Sequence, residues 1–122
     1  MNTEDMKYSL LARVPEVRDT YERHHTAWRR IDPDGGLGSD DVFGTVLPDF
    51  LRSLQRGGGI PPDVASRLFG LLDEFMGDEN ENVAMVIKVS FLEQIEADPE
   101  LCLALRPLMG PLLSAWLVAP AP

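Results

Sequence analysis

Glycine and proline interrupt this chain at short intervals, and these breaks restrict its possible folds more than any other feature of the sequence. Residues 32–38 read DPDGGLG and residues 57–62 read GGGIPP, both typical of turns. Between the breaks, apolar residues recur at spacings of three and four, which is the repeat of an amphipathic helix. The sequence therefore predicts a series of short helices joined by tight connections.

These segments predict an all-α fold, a compact bundle of about six helical segments, and stacked antiparallel helix pairs are one arrangement that the segments allow. No hairpin signal such as Asn-Gly between alternating runs occurs. A chain of 122 residues is near the usual size of one domain, so we expect residues 1–118 to form a single helical domain. Residues 119–122, with the sequence APAP, are expected to be a frayed C-terminal tail.

Three local expectations follow from proline and from one apolar run. Pro48 is expected to split its region into two helices because proline lacks the backbone donor that a helix interior needs. Pro107 and Pro111 are expected to kink or divide the last segment. Residues 78–97 are apolar on almost every side, which predicts a helix buried in the centre of the domain.

The charge of the chain is strongly acidic and unevenly distributed. Eleven lysine and arginine residues stand against twenty aspartate and glutamate residues, which gives a formal net charge of -9. After residue 30 the imbalance is 15 acidic against 5 basic residues. Nucleic acids and anionic membrane surfaces both select clustered lysine and arginine, so neither is an expected partner. The acidic surface either attracts a basic protein or serves only to keep the protein soluble, and the charge alone leaves both readings open.

Two acidic clusters contain the predicted partner-binding residues. The loop cluster surrounds the DPDGGLG turn, and the junction cluster surrounds a later connection between two helices. The loop cluster consists of Asp32, Asp34, Asp40 and Asp41, and the junction cluster of Asp73, Glu74, Asp78, Glu79 and Glu81.

The motifs that would carry chemistry fail when they are tested against their required spacings. A calcium loop needs glycine at its sixth position and glutamate at its twelfth, and the loops starting at Asp32 and at Asp78 have neither. Glu22 and His25 have the Glu-x-x-His spacing of di-iron bundles, but His24 is the only other histidine. The glycine run 57–59 lacks the lysine of a phosphate-binding loop. We therefore predict no enzyme activity, no catalytic residue, no cofactor and no metal ligand.

The single cysteine and the N-terminal sequence bear on the compartment. Cys102 lies in an apolar run, where a free cysteine usually packs as a small hydrophobe, and a lone cysteine allows no internal disulfide. The first residues are acidic where a signal peptide needs positive charge, and no run approaches the ~20 apolar residues of a membrane span. The expectation is a cytoplasmic protein.

Several short motifs follow one another along nearly the whole chain, and together they carry a family resemblance. They are Leu10-Leu11, Val14-Pro15-Glu16 with Tyr21, Val42-Phe43-Gly44, Asn82-Val83, Val89-Ser90-Phe91-Leu92-Glu93 and the run from Leu105 to Pro111. In this combination the chain resembles a family of small, helical, largely uncharacterised bacterial proteins. Some members look like immunity proteins encoded beside polymorphic or contact-delivered toxins.

That resemblance implies an antitoxin-like immunity protein that binds and neutralises a cognate toxin through an acidic surface. The family supplies no catalytic residue that could be transferred to this chain. The alternative is a helical adaptor or regulatory module that binds another protein without any toxin partner. The sequence leaves the oligomeric state and the stoichiometry open.

Overall fold

The computed structural model describes the backbone of residues 1–118 and the side chains of residues 1–116; the predicted tail, residues 119–122, lies outside this range. Within it the chain is 78% helical and contains no strand, so the all-α prediction is confirmed. We number seven helices. The first two are α1 (Asp5–Arg13) and α2 (Arg18–Ile31), which a 3₁₀ turn at Pro15–Val17 connects.

The third helix, α3, is continuous and is built from Ser39–Asp41, a π-helical stretch at Val42–Val46 and Leu47–Arg56. Our prediction that Pro48 would split this region is wrong. The Leu47 N–H donates to the carbonyl of Val42, five residues earlier, which is the wider turn of a π-helix. Such a turn gives the proline ring the room that a regular α-turn denies it.

The remaining helices follow the predicted breaks closely. Helix α4 is Pro62–Met76, and α5 consists of Glu81–Met85, a π-helical stretch at Val86–Leu92 and Glu93–Glu96. Helix α6 is Pro99–Leu105, and α7 is Pro111–Val118. A 3₁₀ turn at Arg106–Leu108 separates the last two, so the prolines divide the final segment as predicted.

The core lies where α3 and α5 cross and is closed by α1, α4 and α6. The π-helical stretches of α3 and α5 contact each other at this crossing. A Cβ placed on Gly44 would lie 3.4 Å from both the Cβ and the carbonyl oxygen of Ser90, so a residue without a side chain allows the close approach. Phe43 packs edge-on against Phe75, with ring centroids 5.8 Å apart, and thereby joins α3 to α4.

Helix α5 is buried on one side only, which corrects the prediction of a helix surrounded by protein. Ile87 and Phe91 are fully buried, whereas Met85 and Val89 are about half exposed, at 50% and 49%. Helix α5 therefore has more apolar side chains than its contacts with other helices bury. The remaining apolar side chains lie on the surface.

Ion pairs tie the helices together at the periphery. The Arg67 guanidinium of α4 donates to both carboxylate oxygens of Glu16 and to Asp63. These hydrogen bonds lower the pKa of Glu16 from 4.5 to about 2. The Arg52 side chain of α3 donates to Asp98, the residue that caps the start of α6, at 2.9 Å.

Candidate functional site

A groove of about 830 Å³ lies between α4 and the connection from α6 to α7. Its floor and far wall are apolar. Its near rim is formed by the C-terminal half of α4 and by the residues that follow that helix. The groove is lined by Ala65, Ser66, Phe69, Gly70, Asp73, Glu74, Gly77, Asp78, Glu79, Leu108, Met109, Gly110, Pro111 and Leu112.

Four of the nine predicted partner-binding residues lie on this rim: Asp73, Glu74, Asp78 and Glu79. They come together because the end of α4 and the short connection to α5 follow one another along the same side of the molecule. No lysine or arginine lines the groove among the described residues. The structure thus places most of the junction cluster at the edge of an apolar groove.

Asp73 has an internal role in addition to its place on the rim. Its Oδ1 accepts hydrogen bonds from the backbone N–H groups of Leu112 and Leu113, at 2.8 and 3.1 Å. These groups belong to the first turn of α7, where backbone donors have no partner within the helix. Asp73 therefore caps α7 from a neighbouring helix and holds the far wall of the groove in place.

Glu74 is also paired within the molecule. The Arg13 guanidinium of α1 contacts both of its carboxylate oxygens, at 2.9 and 2.8 Å. Hydrogen bonding to this guanidinium lowers the pKa of Glu74 below its usual value. Both side chains are about half exposed, so the pair joins α1 to α4 at a surface open to solvent.

Asp78 organises the connection between α4 and α5. It accepts a hydrogen bond from the Asn80 N–H at 2.9 Å and lies 3.2 Å from the amino group of Met1. The backbone hydrogen bond is the main cause of its lowered pKa, and the nearby ammonium adds to it. Glu79 and Glu81 are exposed and form no ion pair with any described residue, so their charges face solvent.

The loop cluster lies elsewhere on the surface. Asp32 ends α2 and Asp34 lies in the exposed connection that follows. Asp41 accepts from the Gly38 N–H at the start of α3, and Asp40 accepts from the Ser90 hydroxyl of α5 at 3.2 Å.

The N-terminal residues lie between the two acidic clusters. At one end the Met1 amino group contacts Asp78, and at the other the Ser39 hydroxyl donates to the Thr3 carbonyl. A shallower depression beside this segment is lined by Asp40 of the loop cluster and by the exposed Met85 and Val89 of α5. Asp78 of the junction cluster and Asp40 of the loop cluster therefore lie at the two ends of the same N-terminal segment.

The residues tested for metal or redox chemistry have structural partners. His24 Nε2 lies 2.8 Å from Asp49 of α3, and His25 stacks on Tyr21 with ring centroids 5.5 Å apart. Cys102 is partly buried. In the described residues no three His, Cys, Asp or Glu side chains are grouped as a metal site would require.

Sequence reasoning missed the apolar half of the groove. Leu108 and Leu112 line the groove and are 38% and 46% exposed. Gly70 was also missed, in the middle of α4 on the face that lines the groove. The sequence offered one signal for this surface, a glycine inside a strong helical pattern. Glycine lowers helix stability relative to alanine, so its presence there suggests a role other than stabilising the helix.

Fold and groove together define a small all-helical protein with an acidic-rimmed apolar groove on its surface. The chain belongs to the DUF7674 family, described as a domain of unknown function, whose model matches residues 9–119. Comparison with curated proteins gives no match, and comparison with solved structures gives none. None of the helices in residues 1–118 is both long enough and apolar enough to cross a membrane.

Proposed function

We propose that this protein is a non-catalytic binding protein whose partner is a toxin, so that it acts as an immunity protein. The observation that carries the binding role is the groove beside α4, where an apolar floor meets four carboxylates and no lysine or arginine. Apolar floors and charged rims are the usual anatomy of protein interfaces. The toxin as partner rests on the resemblance set out above.

The charge of the groove favours a basic partner even after internal pairing is considered. The Arg13 guanidinium and the Met1 amino group each lie against one of the four carboxylates. Two negative charges therefore remain on the rim, within a protein whose net charge is -9. Such a field accelerates the approach of a basic surface and makes association sensitive to salt.

The test is co-expression with the product of the neighbouring gene. If that product is the cognate toxin, it arrests growth when expressed alone, and this chain restores growth and co-purifies with it. Restored growth without a complex, or a toxin that still kills, contradicts the proposal. A stable complex with a non-toxic neighbour would indicate the adaptor role instead.

Two charge reversals distinguish a loss of partner binding from a loss of protein stability in this experiment. Glu79→Lys adds a positive charge to the rim at an exposed side chain that no described ion pair uses. Glu93→Lys makes the same change at an exposed residue of α5 outside the groove. We expect the first variant to lose protection while the second retains it.

A further inference from the structure

Gly70 lies at the midpoint of α4, and nothing within the described residues requires a glycine there. It is exposed, and a Cβ built on it would meet no heavy atom within 4 Å. A glycine inside a helix lowers stability relative to alanine because it loses more backbone freedom on folding. No contact among the described residues explains this loss of stability.

At Gly44, by contrast, a contact within the molecule explains why the residue is a glycine. There, α5 passes so close that an added Cβ would already touch Ser90 at 3.4 Å. Gly70 also lies in a helix interior, but it faces the open groove instead of another helix. Among the described residues nothing lies within 4 Å of a Cβ at Gly70, so this part of α4 is open to an approaching partner.

We infer that the groove binds a basic amphipathic helix of the partner, whose backbone approaches α4 most closely at Gly70. Ser66 lies one turn earlier on the same face, so small residues leave α4 accessible along the groove. Helices approach each other to about 8–10 Å between axes, and small contact residues give the shorter distances.

The walls of the groove favour a helix over an extended segment. An extended peptide that binds by pairing its backbone needs an exposed strand edge, and the described residues contain no strand. A helix satisfies its own backbone groups and can bury an apolar face on Leu108, Met109 and Leu112. Lysine or arginine flanking that face would meet the carboxylates of the rim.

This inference rests on the proposed function for the existence of a partner, but a synthetic probe tests it independently. The probe is a fluorescently labelled amphipathic helix with leucine on one face and flanking lysines, titrated with the full chain by anisotropy. The comparison probe replaces each lysine with glutamate. We expect the lysine probe to bind more weakly as salt rises and the glutamate probe not to bind.

Two substitutions at Gly70 decide whether the helix docks there. Gly70→Ala should raise the melting temperature and yet weaken probe binding by about tenfold, so that misfolding cannot explain the loss. Gly70→Leu should abolish binding, because it places a bulky side chain where the probe helix would approach α4 most closely. Ala27→Leu, at an exposed position of α2 outside the groove, adds comparable bulk and should bind the probe normally.

Each result has a definite meaning. Unchanged binding in Gly70→Ala and Gly70→Leu, no binding of the lysine probe, or equal binding of the glutamate probe overturns the inference. A toxin complex that forms in the co-expression test and survives Gly70→Leu would leave the proposed function standing without this groove. Gly70-dependent probe binding without toxin protection would retain the groove and remove the toxin.

Discussion

At the scale of single residues, the carboxylates of the junction cluster divide into those that build the molecule and those that face solvent. Asp73 and Glu74 bind a helix terminus and an arginine, respectively. Glu79 and Glu81 have no such ion pair among the described residues. A carboxylate that holds the groove together is a poor choice for testing what the groove binds, because its removal changes both the structure of the groove and its charge.

Asp73→Ala removes the acceptor for the first turn of α7. We expect a loss of about 1 kcal/mol in the free energy of unfolding, the usual value of a helix cap. Asp73→Asn keeps a side-chain oxygen and should recover most of that loss. Urea denaturation of both variants measures the difference, and Glu79→Gln serves as the control with no expected change. Equal stability of Asp73→Ala and the parent would show that the cap is unimportant.

The lowered pKa of Glu16 predicts that the stability of the fold decreases in acid. Its pKa is lowered to about 2 by hydrogen bonds from Arg67, so at pH values between 2 and 4.5 the unfolded chain binds more protons there than the folded one. The stability that this residue contributes is present above pH 4.5 and is lost as the pH falls towards 2. Because the pair is solvent-exposed, the contribution is small.

The measurement is the melting temperature as a function of pH for the parent and for Glu16→Gln. The two curves should differ most above pH 4.5 and converge towards pH 2. Curves that stay parallel across this range would contradict a role for Glu16 in acid sensitivity. Raising the salt concentration should reduce the difference, because screening weakens exposed pairs.

At the scale of elements, α5 shows how an apolar helix can be both core and surface. One face packs on α3, while Met85 and Val89 are half exposed beside the N-terminal residues. The π-helical stretch at Val86–Leu92 carries residues of both faces. Periodicity alone did not separate them, because both are apolar.

The two faces should respond very differently to substitution. Phe91→Ala is expected to lower the free energy of unfolding by about 3–5 kcal/mol, since it leaves a cavity where α3 and α5 cross. Val89→Gln should change it by no more than about 0.5 kcal/mol, as is usual for surface substitutions. Denaturant unfolding of both proteins checks this. A large loss in Val89→Gln would mean that α5 is buried on all sides after all.

At the scale of the whole molecule, the fold brings Asp78 and Asp40, which are distant in sequence, to the two ends of one N-terminal segment. The residues from Met1 to Thr3 lie between the junction cluster and the start of α3, where Asp40 and Asp41 lie. The packing of the helices produces this arrangement, because the clusters are more than thirty residues apart in sequence and local structure alone cannot bring them together. The proposed partner would therefore meet the groove first and the loop cluster only if its own basic surface extends that far.

Paired charge reversals determine which cluster steers the partner. We expect Glu79→Lys with Glu81→Lys to slow association by about tenfold and to reduce its salt dependence, as rim charges do. Asp32→Lys with Asp34→Lys should have a smaller effect, and Glu93→Lys with Glu96→Lys provides the control. Stopped-flow mixing with the co-purified partner measures the rates. A larger effect at Asp32 and Asp34 would move the interface to the loop cluster.

The sequence alone determined the helical class, the breaks at residues 32–38 and 57–62 and the acidic excess after residue 30. These depend on local properties: spacing of apolar residues, proline at helix starts and glycine at helix ends. The continuity of α3 through Pro48 could not be predicted in this way, because the wide turn that accommodates the proline forms in a segment that packs against α5.

Only the tertiary structure decided what the acidic residues do. In sequence, Asp73 and Glu79 are equivalent members of one cluster; in the fold, one caps α7 and the other faces solvent. Likewise, the open space beside Gly70 becomes apparent only in the fold, where α4 and the connection before α7 form the two sides of a groove. Local pattern fixes which residues are helical, whereas the packing of helices distant in sequence fixes which side chains remain available to a partner.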